Sequence, residues 1–263
     1  MTENNYSLDF KNGLSSLFFH FVTLIQNLFS LLIGDEKCVR CSKKCLRIPL
    51  CQPCLRLFMH TEKQRTCSRC GRMLISEIDM CLRCRSDSFI KDIDGFYSIK
   101  NYSLWNRNLL FEWKIAKKRA LSPYFAKLIY EKLKKIEEKV GCDIAVVPVP
   151  PRKGKVRELG WDQMEEISSY LEKGWGVNVL RILERVSSVQ QKKLGRKERL
   201  AGIKSSYILK EKKKLSRILK RIPSAFVLLD DVRTTGSTLE ACAHELKKIQ
   251  AGNVYALTLF SVD

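Results

Sequence analysis

The spacing of the cysteines constrains this chain more than any other feature. Eight of its eleven cysteines stand in four C-x-x-C pairs, and the last two pairs repeat the first two at an offset of 29 or 30 residues. Each pair can form a tight turn that presents two sulfur atoms to one ion, and two such turns make a tetrahedral four-thiolate site. The spacing predicts structural zinc, with the ligands of each ion drawn either from one half or from both halves. The eight predicted ligands are Cys38, Cys41, Cys51, Cys54, Cys67, Cys70, Cys81 and Cys84.

The remaining cysteines, Cys45, Cys142 and Cys242, fall outside this spacing and are expected to bind no metal. An odd total of cysteines crowded into C-x-x-C pairs is unlike a secreted disulfide scaffold and favours a reducing compartment. We therefore expect a cytoplasmic protein. Metal binding would help to fold a segment that is too short for a good hydrophobic core.

Residues 1–37 form the first of three predicted segments. Thirteen of the twenty residues in 14–33 are apolar, but polar residues recur every three or four positions, as in an amphipathic helix with a wide apolar face. We expect this helix to pack on the rest of the protein or on a partner. Interfacial contact with a membrane and a true membrane span are the alternatives.

The sequence pattern changes after residue 90. Residues 38–90 are predicted to form a double zinc-ribbon-like cysteine module, and residues 91–263 a separate α/β domain. Strands that alternate with helices predict a parallel sheet covered on both faces. The predicted strands are 143–149, 225–229 and 254–262, and the predicted helices are 105–118, 124–140, 161–173 and 238–250.

The segment 227–239 reads VLLDDVRTTGSTL and carries the most chemical information. An apolar strand is predicted to end in two carboxylates, Asp230 and Asp231, before a turn enters a helix. At the carboxyl end of a parallel strand this arrangement makes a ligand site. Backbone N–H groups and hydroxyls of residues 234–238 can cradle a phosphate at the helix N-terminus, and Gly236 lets the backbone approach closely. The two carboxylates suit sugar hydroxyls, or a magnesium ion held by the ligand.

This motif resembles the phosphoribosyl-pyrophosphate (PRPP) signature of the type I phosphoribosyltransferases. With three other features in order, it resembles the ComF family over roughly residues 38–260. Those features are the paired C-x-x-C module, VPVP with LGWDQ, and Gln191-x2-Leu194 with Glu198-Arg199. The family includes the ComFC-like late competence proteins. The resemblance implies a parallel sheet of the type I phosphoribosyltransferase kind after the zinc module.

The resemblance also implies roles for named residues. Asp230 and Asp231 would be catalytic residues that hold the ribose hydroxyls. PRPP would be bound by Arg233, Thr234, Thr235, Gly236, Ser237 and Thr238. Its diphosphate would be bound by Pro150, Pro151, Arg152 and Lys153, with Mg²⁺ accompanying it. A flexible loop that closes over PRPP would contribute Gln191, Arg196 and Arg199.

The chain departs from the family pattern in places. Leu159 replaces the arginine of the usual R-G-F-N-Q motif, and Gly202 stands where an asparagine is often found. Thr234 occupies the position at which purine-salvage members of the superfamily usually have a carboxylate, a candidate general base. Whether the chain catalyses a transfer is therefore left open. If it is active, it would be a phosphoribosyltransferase, which is a pentosyltransferase.

The formal charge of +20 points to anionic partners. Residues 192–221 hold thirteen basic and two acidic residues, so they supply +11 of this charge. This stretch is consistent with single-stranded DNA binding, with a solvated surface, or with contacts to the ligand. The resemblance implies a protein that supports the handling of incoming single-stranded DNA in natural transformation, beside a DNA-uptake helicase and other competence proteins. The alternative is an active phosphoribosyltransferase of nucleotide metabolism or salvage without a DNA role.

Overall fold

The computed structural model describes most of the chain after residue 35. The described residues are 36–45, 48–59, 65–72, 74–86, 90–102, 104–152, 154, 156, 158, 160–186, 206–211, 215, 223–249 and 251–262. The helix predicted at 14–33 therefore lies outside the described residues. Within the described part of the chain, no helix combines the length and the apolar character needed to cross a membrane.

Helices and strands are interspersed along the chain. In chain order they are β1 (Glu36–Lys37), β2 (Lys44–Cys45), α1 (Gln52–Met59), α2 (Leu82–Ser86), β3 (Gly95–Asn101), α3 (Leu104–Lys114), a 3-10 turn (Arg119–Leu121), α4 (Ser122–Val140), β4 (Ile144–Pro148), α5 (Gln163–Trp175), β5 (Leu183–Arg185), β6 (Tyr207–Leu209), β7 (Ala225–Arg233), α6 (Ser237–Lys247) and β8 (Asn253–Ser261).

Four of these strands form one parallel sheet in the order β3-β8-β7-β4. β7 and β8 are paired from Ala225 opposite Asn253 to Arg233 opposite Ser261. β4 lies on the other side of β7, and β3 lies on the other side of β8. The predicted parallel α/β architecture is therefore confirmed. A short antiparallel pair, β5 with β6, is separate from this sheet.

Helices cover both faces of the sheet. Val227 and Leu229 of β7 belong to a buried cluster with α3, α4 and α5, whereas Phe226 and Leu228 belong to a second cluster with α6. This division follows from strand geometry, because successive side chains of a strand point to opposite faces. The apolar runs of the central strands are continuous because both of their faces are buried.

The two long helices on the first face have clear boundaries. Pro123 lies in the first turn of α4, where its missing N–H costs nothing, and the left-handed Gly141 ends the helix. The Asp162 carboxylate accepts hydrogen bonds from two backbone N–H groups at the start of α5, and the left-handed Gly176 ends that helix. These residues set where each helix begins and ends.

The two halves of the cysteine segment pack on opposite faces of the sheet. Phe58 of the first half lies 5.6 Å from Trp105 and 5.7 Å from Phe125, measured between ring centroids, in the cluster of α3 and α4. The four cysteines of the second half share a buried cluster with Phe226 and α6. The Arg69 guanidinium of that half donates hydrogen bonds of 2.7 and 3.0 Å to the carbonyl of Ile90.

Two strands differ from the sequence prediction. β3 was not predicted, although it forms an edge of the sheet. β7 does not end at Leu229 but continues through both carboxylates to Arg233, because the ladder with β8 extends that far. The sequence leaves open whether Trp161, Trp175 and Tyr207 belong to the core or offer stacking surfaces, and the structure buries all three.

Candidate functional site

The carboxyl ends of β4 and β7 meet at one edge of the sheet. Pro148, the last residue of β4, lies opposite Leu229 in the register. The backbone N–H of Val149 then donates a 2.9 Å hydrogen bond to the Leu229 carbonyl. β4 stops there, whereas β7 runs four residues further. The segment that begins at Pro150 and the segment that begins at Asp230 are thus neighbours, although about eighty residues separate them in sequence.

The chain leaves these two strands toward opposite faces of the sheet. The helix after β4, α5, packs into the cluster that contains Val227, whereas the helix after β7, α6, packs into the cluster that contains Phe226. Adjacent parallel strands whose connections diverge in this way leave a crevice at their carboxyl ends, and open α/β sheets bind ligands there. The DDVRTTGST motif therefore lies at the point where this rule predicts a crevice between β4 and β7.

The two adjacent carboxylates point to opposite faces. Asp230 lies near Tyr207 and Cys242, on the face of Phe226 and Leu228. Asp231 contacts Lys114 at the end of α3, on the face of Val227 and Leu229. Asp230 is partly exposed, whereas Asp231 is only 8% exposed. The structure thus does not bring both carboxylates into one solvent-filled space. The reason is that β7 remains extended through them, so neighbouring side chains alternate.

Asp231 has a cationic partner. The Lys114 ammonium, at the last residue of α3, donates a hydrogen bond to the Asp231 carboxylate. The Lys114 carbonyl accepts a 3.4 Å hydrogen bond from the side-chain amide of Gln163, which is fully buried. Lys114 was not predicted as a site residue, because nothing in the local sequence shows that the end of α3 reaches the edge of the sheet.

Asp230 faces α6 and the β5–β6 pair. Burial, with smaller contributions from Cys242 and Asp230, raises the pKa of the Tyr207 phenol to about 12. Tyr207 therefore stays protonated at neutral pH and can donate a hydrogen bond. The side chain of Thr238, from the predicted phosphate turn, contacts the same phenol. This places Asp230, Tyr207 and Thr238 around one side of the crevice.

The predicted phosphate turn begins α6. Gly236 has φ = +84°, in the left-handed region that glycine adopts readily, and it provides no side-chain cap. The hydroxyls of Thr235 and Ser237 lie 2.9 Å apart, and the Ser237 N–H donates to the Thr235 hydroxyl at 3.3 Å. Thr234 and Thr235 are exposed. Hydroxyl and N–H donors at the positive end of a helix are the groups that bind an oxyanion.

Arg233 differs from the rest of that turn. It is only 4% exposed, and its guanidinium carbon lies 5.2 Å from the centroid of the Phe96 ring. Its carbonyl accepts a 2.8 Å hydrogen bond from the Val262 N–H. The structure therefore packs Arg233 into the protein at the end of β7, while the residues after it turn outward.

The predicted diphosphate segment follows β4. Pro150 and Pro151 are half-buried, and the exposed Arg152 forms a 2.6 Å ion pair with Glu158, whose side chain is also exposed. Such exposed pairs contribute little to stability, so the Arg152 guanidinium is available to an anionic ligand. Lys153 lies outside the described residues.

The three predicted loop residues, Gln191, Arg196 and Arg199, also lie outside the described residues, as does most of the basic stretch 192–221. The described residues at the two ends of this loop are held together, since the Val186 N–H donates a 2.8 Å hydrogen bond to the Ser206 carbonyl. β6 packs against α6, and its Tyr207 contacts the Thr238 side chain, so the described residues on either side of 187–205 lie near the phosphate turn.

The cysteines form two separate clusters, each built from one half of the repeat. In each cluster the four sulfur atoms all lie within 4.8 Å of one another. Cys41 and Cys51 are 3.5 Å apart between their Sγ atoms, and Cys70 and Cys81 are 3.7 Å apart. These separations are too long for a disulfide, but four sulfurs at about 2.3 Å from one zinc ion would lie about 3.8 Å apart. Both donor sets can therefore hold zinc, and the ligands are not shared between the halves.

The two clusters repeat one local fold. The Cys38 N–H donates to the carbonyl of Lys43 at 2.7 Å, and the Cys67 N–H donates to the carbonyl of Arg72 at the same distance. Ser42 and Gly71, four residues after these cysteines, both have a positive φ. The sequence repeat is therefore a structural repeat as well.

The first thiol of each cluster ionises most readily. Burial raises the pKa of Cys38, but backbone N–H groups around its sulfur outweigh this effect and lower the pKa to about 6. The same balance lowers the pKa of Cys67 to about 7. Burial and neighbouring thiols instead raise the pKa of Cys54 and of Cys84. Metal binding must therefore release protons from Cys54 and Cys84.

The three cysteines outside the spacing are not members of either cluster. Cys45 lies close to the first cluster, is buried, and donates a 3.3 Å hydrogen bond to the Lys43 carbonyl. Burial, with the nearby Cys38 thiol, raises its pKa to about 11. Cys242 is buried in α6, and Cys142 is partly exposed.

A group of long-range contacts around α6 was not predicted from the sequence. The Glu240 carboxylate of α6 accepts hydrogen bonds of 2.7 and 3.0 Å from the N–H groups of Lys91 and Asp92. The imidazole of His244 lies 2.9 Å from the Asp92 carboxylate. These contacts tie the helix of the phosphate turn to the segment after the second cysteine cluster. They join residues about 150 positions apart, so local patterns carry no signal of them.

Comparison with known protein families finds no family that matches this chain, and comparison with curated proteins finds no match either. The function must therefore be inferred from the residues and their geometry.

Proposed function

We propose that the crevice between β4 and β7 binds PRPP or a related ribose phosphate. The protein would then be a phosphoribosyltransferase-like protein that resembles the ComF family. The observation that carries this proposal is the divergence of α5 and α6 at the adjacent carboxyl ends of β4 and β7, with the DDVRTTGST motif at that point. A ligand with both a phosphate and sugar hydroxyls matches the two kinds of donor and acceptor found there.

The proposed assignment starts from the turn into α6. The hydroxyls and N–H groups of residues 234–238 hold the 5′-phosphate, and Asp230 accepts hydrogen bonds from the ribose hydroxyls. The diphosphate lies toward Pro150, Pro151 and Arg152. Asp231 is already paired with Lys114 and is mostly buried, so its contribution to the site is to hold the end of α3 against the sheet.

Magnesium enters this proposal with the ligand. Within the described residues, both groups able to hold a metal ion consist entirely of cysteine, and thiolates are poor ligands for Mg²⁺. A magnesium ion would therefore be carried by the diphosphate oxygens, with Asp230 as the nearest carboxylate of the motif.

The proposed biological role follows from the resemblance and from the charge of +20. The protein supports the handling of single-stranded DNA during natural transformation, with a helicase and other competence proteins as partners. Binding of PRPP would then regulate or serve that role. The same site would serve nucleotide metabolism or salvage if an acceptor is found, so the experiment on PRPP precedes any screen of acceptors.

The test is calorimetric titration of the zinc-loaded, full-length protein with PRPP and Mg²⁺. We expect the wild-type chain to bind and Asp230→Asn to bind at least about tenfold more weakly, because it loses a charged acceptor for the ribose hydroxyls. The matched control is Asp143→Asn. Asp143 is exposed and precedes β4 at the opposite edge of the same sheet, so the variant removes the same charge far from the crevice.

Absence of binding by the wild-type chain would refute the proposal outright. If both variants bind PRPP equally weakly, the loss of affinity reflects the change in net charge and not a contact made by Asp230. Retained binding by Asp230→Asn would remove the ribose role from this carboxylate. Thermal melts of all three proteins would show whether each remains folded.

A further inference from the structure

Three lysines form one stripe along α4, away from the crevice. Lys132, Lys135 and Lys139 are spaced by three and four residues, which places them on the same side of the helix. Among the described residues, no carboxylate lies within ion-pair distance of any of the three. Lys134, on another side of α4, instead pairs with Glu137 at 2.5 Å. The three lysines therefore form a positive stripe without ion pairs, although Glu131 and Glu138 flank Lys135 on the same helix.

Two tyrosine rings lie beside this stripe. The ammonium groups of Lys132 and Lys139 lie 5.2 and 5.7 Å from the centroid of the Tyr97 ring. The ring of Tyr255 lies 6.2 Å from that of Tyr97, inclined by 48°. Both tyrosines are partly exposed, on β3 and β8. Lysine heads thus converge on a flat aromatic surface at the β3 edge of the sheet.

The lysines repel one another where they converge on the tyrosines. Burial lowers the pKa of Lys132, and repulsion from Lys135 and Lys139 lowers it further. Elsewhere on the described surface, cations such as Arg181 and Lys247 are placed against carboxylates. Like charges held together without an ion-pair partner are stabilised by a bound anion, which makes such a cluster a candidate binding site.

We propose that Lys132, Lys135, Lys139, Tyr97 and Tyr255, here called the lysine–tyrosine surface, bind single-stranded nucleic acid. The lysines contact successive phosphates, and the tyrosine rings stack on bases when the ammonium groups of Lys132 and Lys139 move from the Tyr97 ring to those phosphates. A positively charged track combined with aromatic rings is the general arrangement for single-strand binding. A duplex has its bases already stacked, so it would use the lysines alone. This inference goes beyond PRPP binding and gives the DNA part of the proposed function a surface within the described residues.

The surface is distinct from the crevice. Tyr255 pairs with Gly95 and lies opposite Val227, at the amino-terminal half of the strands, whereas the crevice lies at their carboxyl ends. The last turn of α4, with Lys139, precedes Gly141 and the start of β4 at that same amino edge. Loss of one site therefore need not affect the other, and the two proposals can fail separately.

The test is fluorescence anisotropy of the zinc-loaded, full-length protein with a labelled oligothymidylate, across a range of salt concentrations. The wild-type chain is expected to bind, and the triple variant Lys132→Gln, Lys135→Gln, Lys139→Gln to bind at least about tenfold more weakly. The slope of log affinity against log salt should become shallower by about 2, since each phosphate contact on a single strand contributes about 0.7. An unchanged slope would overturn the proposal.

The matched control compares single changes on one helix. Lys139→Gln should make the salt slope shallower by about 0.7, whereas Lys134→Gln removes the same charge from a paired lysine and should leave it unchanged. If the two variants change the salt slope equally, net charge alone explains the effect, and the proposed binding surface is refuted.

The aromatic part is tested with Tyr97→Leu, which keeps an apolar side chain against the core but removes the flat ring. We expect about a tenfold loss of affinity for the oligothymidylate and little change for a duplex of similar length. Equal losses for both would contradict stacking. Titration of the triple variant with PRPP should match that of the wild-type chain, which separates this inference from the crevice.

Anionic vesicles of phosphatidylserine provide the competing ligand. Vesicle binding that depends on the three lysines, with no effect of the triple variant on oligothymidylate binding, would make this a membrane surface and overturn the nucleic-acid assignment.

Discussion

At the scale of single residues, the arrangement of the two carboxylates depends on the alternation of side chains between the two faces of β7. The sequence predicts two neighbouring carboxylates at the end of a strand, and the structure has both at that place. Whether they face one space or two depends on whether the backbone is still extended at Asp230 and Asp231, which is set by the ladder with β8. The partner of Asp231, Lys114, comes from a helix more than one hundred residues earlier. No local pattern could have predicted that pair.

Gly71 and Gly141 differ in the space around them, which leads to a prediction about stability. Gly71 and Gly141 have nearly the same backbone angle, with φ of +70° and +71°. A Cβ at Gly71 would lie 2.5 Å from a ring carbon of Phe96, whereas a Cβ at Gly141 would meet nothing within 4 Å. Gly141→Ala should therefore lower the free energy of unfolding by about 1 kcal/mol, the cost of the left-handed backbone alone. Gly71→Ala should cost about 3 kcal/mol, because a buried ring must also move.

Denaturant unfolding of the zinc-loaded variants would measure this difference, with Gly141→Ala as the control for backbone strain. Equal costs would show that the ring of Phe96 moves aside freely, and that the second cysteine half packs loosely on β3. A larger cost at Gly141 would contradict the assignment of the close approach to Gly71.

At the scale of elements, the cysteine repeat shows what spacing can and cannot predict. Four C-x-x-C turns identify eight thiolates as metal ligands, because two sulfurs per turn follow from local geometry. The spacing leaves open which turns share an ion, since that depends on how the chain folds back between them. In the structure β1 and β2 pair on either side of Cys38 and Cys41, and α1 begins directly after Cys51. The four sulfurs of each half lie together, so neither half shares its ligands with the other. The helices of the main domain were predicted within a few residues for the same reason: their apolar periodicity and caps are local.

The first cysteine cluster leads to a prediction about the number of zinc ions bound per chain. The wild-type chain should hold two zinc ions, one for each group of four cysteines. Cys41→Ser should reduce this to one, because the exposed Cys41 supplies one of four ligands. Cys45→Ser should retain two, although Cys45 is buried close to the same cluster. Metal analysis by atomic emission after gel filtration would measure both.

A loss of zinc from Cys45→Ser would show that Cys45 belongs to the first site in solution. Full retention by Cys41→Ser would mean that another thiol replaces Cys41, and Cys45 would then be the candidate. The double variant would distinguish that replacement from a site that needs only three sulfurs.

At the scale of the whole molecule, the cysteine halves serve as parts of two cores rather than as one appended module. The first half contributes Leu55 and Phe58 to the cluster under α3 and α4, and the second half shares its cluster with β7 and α6. The boundary predicted at residue 90 separates two compositions, yet buried side chains on each face of the sheet come from both sides of it. Sequence composition identifies where a pattern changes, but which surfaces pack together depends on contacts between distant segments.

The helix that begins at the phosphate turn adds to this connection. Through Glu240, His244 and Lys247, α6 contacts the segment that follows the second cysteine cluster. The Glu240 carboxylate holds two backbone N–H groups of that segment, and it is itself buried. Disturbing the second cluster therefore disturbs the packing of α6, whose first turn lines the crevice.

This arrangement predicts that zinc removal destabilises the whole described fold and not a separate cysteine domain. Differential scanning calorimetry of the zinc-loaded protein should show one cooperative transition, because the cysteine halves and the sheet share buried clusters. Chelation should lower its midpoint by more than about 10 °C, since metal-binding free energy contributes to folding. A two-step melt, with one transition insensitive to the chelator, would show that the sheet is stable without its cysteine halves.

Two cysteine variants compare the two faces of the sheet. Cys67→Ser should lower the midpoint of the same single transition and weaken PRPP binding through α6. Cys41→Ser, on the other face, should lower the midpoint with a smaller effect on PRPP binding. Equal effects of the two on PRPP affinity would mean that α6 does not transmit the state of the second cluster to the crevice.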